Sequence, residues 1–428
     1  MSLSTYDPVD VHEGALDPLG LNPIADRLGN KLTPGIRERM QHPRFLTAVA
    51  VGAELCRPFL DEVASDGITP PHIVYEWYVI QAFYKTFRDS DELIGFPGIL
   101  KAKNAWIKKD PFSHTRYLKT APIFGFNGVY KTLAEELDIV QDGLLDENGD
   151  QLLRVWSEEQ SFPGFLGQEN AVGAGRQFKQ TFRNAIEESL KKGEVFHPWS
   201  WHWFKEIAER LGPYRAGNRE KRFIRSLLLN NETGYRRQLL ESLQEFLQRN
   251  ENVVWTERQF HEYLIKSFDP PLKELLLTIQ SYEKFARIIT TSFYNMLYYL
   301  SDKNRKIQGK ELEEQRFSKI DVTQLRDLYE SVYGMLSSYN ESNNFHKNFA
   351  PFGLVNGSRD FIITLINHHH RVQKNKPPFG KAPWLESFGD GTYMIRPLYR
   401  QDEPIKYGFE YVNRYRVSSL ISFREDLK

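Results

Sequence analysis

"FNGVYKTLAEELDIVQDGLLDENGDQLLRVW", from Phe126 to Trp156, decides the fold. Val129, Leu133 and Leu137 recur every fourth residue, which puts them on one face of an α-helix. Asn127 stands where an N-cap would accept the first free N–H groups. Ile139 and Val140 lead into a short tight connection, and "DENGDQ" is a turn signal. Leu152, Leu153 and Trp156 then open a second apolar helical face.

Helical spacing continues on both sides. Tyr282, Phe285, Ala286, Ile289, Phe293, Met296, Leu297 and Leu300 repeat at threes and fours. Val322, Leu325, Leu328, Tyr329, Val332, Leu336 and Tyr339 do the same. Joined by the polar stretch Ser301–Lys319, they predict the two arms of a long αα-hairpin. Each large apolar side chain buried there contributes roughly 1.5–3 kcal/mol, enough for two such faces to hold a domain.

Nearer the N-terminus, Pro34 suits a helix first turn. Phe45, Val49, Gly52, Ala53 and Cys56 form one face of a helix that should stop before Pro58. "PPHIVYEWYVIQAFYKTF", starting at Pro70, is apolar nearly all round and predicts a buried helix. Further helices are expected up to Gly193, after a cap at Ser200, and on both sides of a break near Asn230–Gly234. Arg215, Arg219 and Arg222 share a face only if the helix there extends back through Gly217. The tail differs: "TYMIRPLYR" and "IKYGFEYVNRYRVSSLISF" are rich in β-branched and aromatic residues and predict a small β element. The expectation is a mainly α, multi-helical chain in four segments: 1–70 helical, 71–160 around the opening stretch, 161–375 helical with the hairpin, and 376–428 β.

Composition narrows the function. With 428 residues, 40% hydrophobic and 26% charged, the chain matches a folded globular protein of several segments. Its 56 basic and 56 acidic residues cancel, so bulk charge selects no partner. Locally the charge is segregated. Leu100–Lys119 carries Lys101, Lys103, Lys108, Lys109, Arg116 and Lys119 against Asp110 alone. Arg210–Arg237 is also strongly basic, and Leu133–Glu159 strongly acidic. The single cysteine, Cys56, excludes an intrachain disulfide and reads as a small core residue. No run reaches the ~18 apolar residues of a membrane span, and the acidic start lacks a secretory h-region, so a cytoplasmic location is expected.

No complete catalytic motif is present, and neither catalytic residues nor a cofactor are expected. "GAG" at Gly173–Gly175 lacks the third glycine and preceding strand of a dinucleotide fingerprint. His368, His369 and His370 are consecutive, so on a helix they point about 100° apart and cannot share one ion. No metal site is expected from them; they read as charge-adding groups below about pH 6.5 at a basic helix end. His197 and His202 read as packing and capping residues. Glu403, Glu410 and Lys406 in the tail leave open an alternative, a divergent metal-dependent nuclease.

Nucleic acid is the favoured partner. In the 100–119 segment, lysines alternate with Trp106, Phe112, His114 and Tyr117, a mixture that suits phosphate contact with stacking. The candidate contacts are Lys101, Lys103, Lys108, Lys109, Arg116, Lys119, Lys131, Arg219, Arg222, Arg371, Lys374 and Lys381, with Trp384 beside the last three.

The segment 71–160 resembles a winged-helix DNA-binding module of the MarR and PadR type. Asp146, Gly149, Leu152 and Leu153 are similar to that family's Thr-x-x-Gly-x-x-Leu-Leu return from the wing. The resemblance implies that Val129–Leu137 is the recognition helix. That helix offers Lys131 but also Glu135, Glu136 and Asp138, and carboxylates repel phosphates. Scattered phrases, "PGIRERMQHPRFLTA", "RYLKTAPIFGFNGVYKTLAEEL" and "HHHRVQKNKPPFGKAPW", are similar to bacterial proteins of anti-phage defence clusters. That implies ATPase, helicase or nuclease partners. The functional expectation is a non-catalytic DNA-binding or scaffold subunit; the alternatives are a pure protein-interaction scaffold and the nuclease.

Overall fold

Phe45–Cys56 and Pro71–Phe87 are helices buried on nearly every side, as their all-round apolar sequences require. They lie in a computed structural model that describes residues 17–90, 93, 95–167, 172–230, 234–251, 253–268, 270–377, 379–406, 408 and 410–428. Helix makes up 63% of the described residues and strand 4%, so the protein is mainly α with a small β element towards the C-terminus. The chain divides into two compact units, Met1–Leu32 with Phe246–Tyr415, and Thr33–Glu245 with Arg416–Lys428. The expected limits near 70 and 160 fall inside the second unit, and that near 375 inside the first.

In the Thr33–Glu245 unit, Phe45 and Cys56 bound one buried helix and Pro71 opens the other, as the prolines predict. Phe45 is ringed by Phe83, Phe96, Phe126 and Tyr130, with centroids 5.2–6.2 Å away. Cys56 is buried, and burial pushes its thiol up to about 12. A buried ion pair crosses this core. Arg44 Nε donates to Glu220 Oε1 at 3.0 Å and its Nη2 to Oε2 at 3.1 Å, while the Thr47 hydroxyl donates to Oε1 at 2.7 Å. Pro34 starts no helix: the helix Asn22–Leu32 has just ended, and Pro34 sits in a turn with Gly35 at φ 75°.

The opening stretch forms the helix Phe126–Glu136, a hairpin and the helix Glu147–Glu159. Val129, Leu133 and Leu137 are buried, as are Leu152, Leu153 and Trp156. The hairpin pairs Val140 with Leu145 and Gln141 with Leu144. Its two turn residues, Asp142 and Gly143, both have positive φ, the signature of a type I′ turn. Asp146 accepts the N–H of Glu147 at 2.8 Å and caps the second helix. The cap of the first helix is not Asn127, which lies inside its first turn. Its N–H is taken by Glu76 instead. Ser200 caps nothing either; the helix Trp203–Leu211 starts after His202. The last helix of this unit is Val417–Asp426, tied by Arg416 Nε to Ile36 O at 3.0 Å and by the Ser419 hydroxyl to Arg37 O at 2.8 Å.

In the other unit, Leu272–Lys303 is the central helix. Its apolar residues from Tyr282 to Leu300 are buried as expected, and it packs on Val322–Ser337. The connection between these arms is built, not merely polar. Ile307–Gln308 pairs with Thr392–Ile395, which also pairs with Leu385–Ser387, giving a three-stranded antiparallel sheet. The second predicted β stretch, 405–423, contributes no strand among its described residues and ends in the helix Val417–Asp426. Its aromatics serve burial: Tyr415 is fully buried and its hydroxyl donates to Glu283 at 2.7 Å.

Candidate nucleic-acid interface

The basic segment of the Thr33–Glu245 unit begins with the helix Ile99–Lys108. Ala102 and Ala105 face the core, and the small side chains let the helix lie close while its lysines point outward. Gly98 at its start has φ 79° and lies against the Tyr117 ring, so only glycine fits there. Lys109, at φ 57°, ends the helix, and the chain turns into a loop. That loop is fixed to a second segment: Ser113 bridges Glu194, and Val195 N–H donates to Phe112 O at 2.9 Å.

The two segments enclose a groove of about 660 Å3. Trp106, Phe196, His197 and Trp199 give it an aromatic bed, and Lys109 and Lys192 also line it. Phe112 and Tyr117, expected as stacking residues, are buried instead and hold the loop from within. Phe196 and Lys192 were missed by sequence reasoning, because no periodicity links residues 192–199 to 106–109; only the tertiary bridge does.

Charge pairing separates the candidate contacts. Lys103, Lys108, Lys109 and Lys119 are exposed, and among the described residues none has an ion-pair partner. Lys101 is half-buried on the same helix. Arg116 pairs with Glu194 at 3.2 Å, and Lys192 shares that carboxylate at 2.9 Å. Lys131 pairs with Glu135 at 3.6 Å. Arg219 pairs with Glu158 at 2.8 Å, while Glu159 accepts the backbone N–H groups of Arg219 and Glu220 at 2.8 Å each. The acidic and basic stretches thus partly neutralise each other. The helix here starts at Asn218, so Arg215 lies outside it and exposed Arg222 shares a face with Arg219 and Arg225.

Arg371, Lys374 and Lys381 belong to the other unit, where all three are exposed. The Arg371 guanidinium is engaged by Asn348 O and by His368 Nδ1. Trp384 does not serve as a contact: it is buried and stacked on Tyr399 with centroids 4.7 Å apart.

The three histidines are structural. The N–H of Trp384 donates to His369 Nε2 at 2.9 Å, so Nδ1 carries the proton and donates to Pro18 O at 2.9 Å. His368 Nε2 donates to Leu19 O at 2.7 Å, and His370 Nε2 to Leu385 O at 3.2 Å. Burial pushes His368 down to about 4 and His369 to about 3, and lowers His370 as well. The expected charge below about pH 6.5 is therefore not available from the two inner rings.

His197 packs as expected, stacked on Trp201 with centroids 4.1 Å apart. Glu403, Lys406 and Glu410 are exposed and lie outside the strands. Among the described residues no group of three or more His, Cys, Asp or Glu is placed to hold a metal, and no helix is long and apolar enough to cross a membrane. No protein-family model, curated protein or solved structure matches the chain.

Proposed function

We propose that the chain is a non-catalytic DNA-binding subunit of a bacterial complex, holding the nucleic-acid backbone on the helix Ile99–Lys108 and the loop after it. One observation carries this: Lys103, Lys108, Lys109 and Lys119 are exposed and lack carboxylate partners among the described residues, beside an aromatic groove. Phosphates are the natural counter-charge for such a set, and releasing their counterions drives association. Arg116 and Arg219, already neutralised, contribute less. The winged-helix likeness of Phe126–Trp156 supports a DNA role, and the likeness to defence-cluster proteins supports work alongside an ATPase, helicase or nuclease.

A second reading draws on Glu135, Glu136 and Asp138, which border the exposed face of the would-be recognition helix. They favour a basic protein surface over DNA on that helix, making it a scaffold contact. An electrophoretic shift series over several salt concentrations tests the DNA reading. Log affinity should fall with log salt with a slope of about −0.9 per phosphate neutralised on duplex and about −0.7 on single strands. No binding, or affinity that ignores salt, overturns it. Reversing Glu135 and Glu136 and losing a partner protein while DNA binding survives would favour the scaffold contact.

A further inference from the structure

The groove of about 660 Å3 falls within the ~300–1,000 Å3 typical of ligand sites. Its two indoles, and the backbone that carries Phe196, are fixed before anything binds. Trp106 and Trp199 meet edge to face at 5.1 Å, and the Trp199 Nε1–H donates to Asp110 O at 3.0 Å. The Phe196 N–H donates to Ser189 Oγ at 2.9 Å. Yet Phe196 is 45% exposed and Ile107 67%, so apolar surface is left uncovered at the mouth. Preorganised rings lose little entropy when a partner stacks on them. No carboxylate is among the residues that line the groove. Lys192 is shared with Glu194, which leaves Lys109 as the lining cation without an ion-pair partner among the described residues.

We propose that this groove receives an unstacked base of single-stranded nucleic acid, its ring on Phe196 and Trp199 and its neighbouring phosphate at Lys109. The inference rests on the DNA reading above and adds a strand preference. Single strands present free bases, whereas a duplex must first unstack at a cost of a few kcal/mol. An apolar peptide would cover the same rings but leave Lys109 without a counter-charge.

Fluorescence anisotropy with labelled oligothymidylate and with a mixed-sequence duplex tests it, on the full chain and on Phe196→Ala and Lys109→Ala. Oligothymidylate should bind more tightly than duplex and quench tryptophan emission. Phe196→Ala should weaken the single strand at least fivefold, the low end of loss for one stacked base, and leave the duplex unchanged. Lys109→Ala should reduce the salt slope on single strands by about 0.7. Phe196→Leu, which keeps apolar bulk and removes the ring, repeats the stacking test should Phe196→Ala lose its helical circular dichroism. If both probes bind equally and neither Phe196→Ala nor Phe196→Leu changes either, the groove is not a base site, while the DNA reading stands. If neither probe binds, the DNA reading and this inference fail together. Salt-insensitive capture of an apolar peptide that oligothymidylate does not displace also overturns the base site.

Discussion

Glu76 caps a helix to which it does not belong: its Oε2 accepts the N–H of Asn127 at 3.0 Å, at the start of Phe126–Glu136. Its other oxygen accepts the Tyr117 hydroxyl at 2.6 Å, which links this cap to the basic segment. A carboxylate at a helix N-terminus is favoured by the helix dipole. Here burial outweighs that and the hydrogen bonds, and raises the carboxyl from 4.5 to about 7.

The consequence is a pH dependence with a definite sign. Between pH 4.5 and about 7 the folded chain keeps a proton on Glu76 that the unfolded chain has released. Stability from this group is complete below that window and is lost as pH rises through it, by at most ~1.4 kcal/mol per pH unit. Glu76→Gln keeps an acceptor for the Asn127 N–H, reverses the bond to Tyr117 by offering its hydroxyl an amide donor, and cannot ionise. Urea unfolding across the window should show the decline in the wild type and its loss in the variant; equal slopes would refute the assignment.

Gly125 is coupled to the same carboxylate. A Cβ at that position would lie 1.9 Å from Glu76 Oε1, inside any tolerable contact. Gly125→Ala should destabilise by about 1–3 kcal/mol through overpacking. Combined with Glu76→Ala the cost should fall well below the sum, because the clash is gone. Additive effects in a double-mutant cycle would show that another contact is responsible.

Arg44 and Glu220 make a different kind of prediction. Both are buried, and Arg44 also donates to Arg210 O at 3.0 Å. Glu220→Ala strands a buried guanidinium and should cost roughly 3–5 kcal/mol in urea denaturation. Replacing both partners by methionine should cost less than that single change. A single mutant as stable as the wild type would show the pair to be dispensable.

His368 and His369 should stay neutral in mild acid. Their folded values of about 4 and about 3 lie below the ordinary 6.5. Their contribution is therefore complete above about pH 6.5 and lost as pH falls towards the folded values. Nitrogen-15 spectra near pH 5 should show His368 protonated on Nε2 and His369 on Nδ1. Imidazolium signals from both rings at that pH would contradict the buried arrangement.

At the basic surface, pairing should rank the mutants. Lys103→Glu with Lys108→Glu should weaken DNA binding and flatten its salt dependence by at least ~0.7 for each phosphate no longer neutralised. Arg219→Ala should change binding little, since Glu158 already faces that guanidinium at 2.8 Å. Equal losses from both changes in anisotropy titrations would mean that ion pairing does not select the contacts.

Helical faces were legible because their signal is local: Val129, Leu133 and Leu137, or Tyr282 to Leu300, carry the period in the sequence itself. Capping and burial were less so. Asn127 reads as a cap from its neighbours, but the acceptor is Glu76, 51 residues away. The histidines read as charged beside Arg371 and Lys374, yet their partners are the backbone of Pro18, Leu19 and Leu385. The tail's β-branched and aromatic run favours strand in isolation, and Val417–Asp426 shows tertiary packing overriding that preference. Of the candidate interface, the lysines were visible and the groove was not.

The helix Val417–Asp426 fastens to Ile36 and Arg37, and so belongs with residues translated far earlier. A ribosome that has released residues 33–245 has not yet made the piece that completes them. Residues 246–415 must emerge first, and these in turn gather in the stretch up to Leu32. Neither unit can be cloned as one uninterrupted fragment, and a premature stop codon just after Tyr415 would injure a unit most of which has already been made.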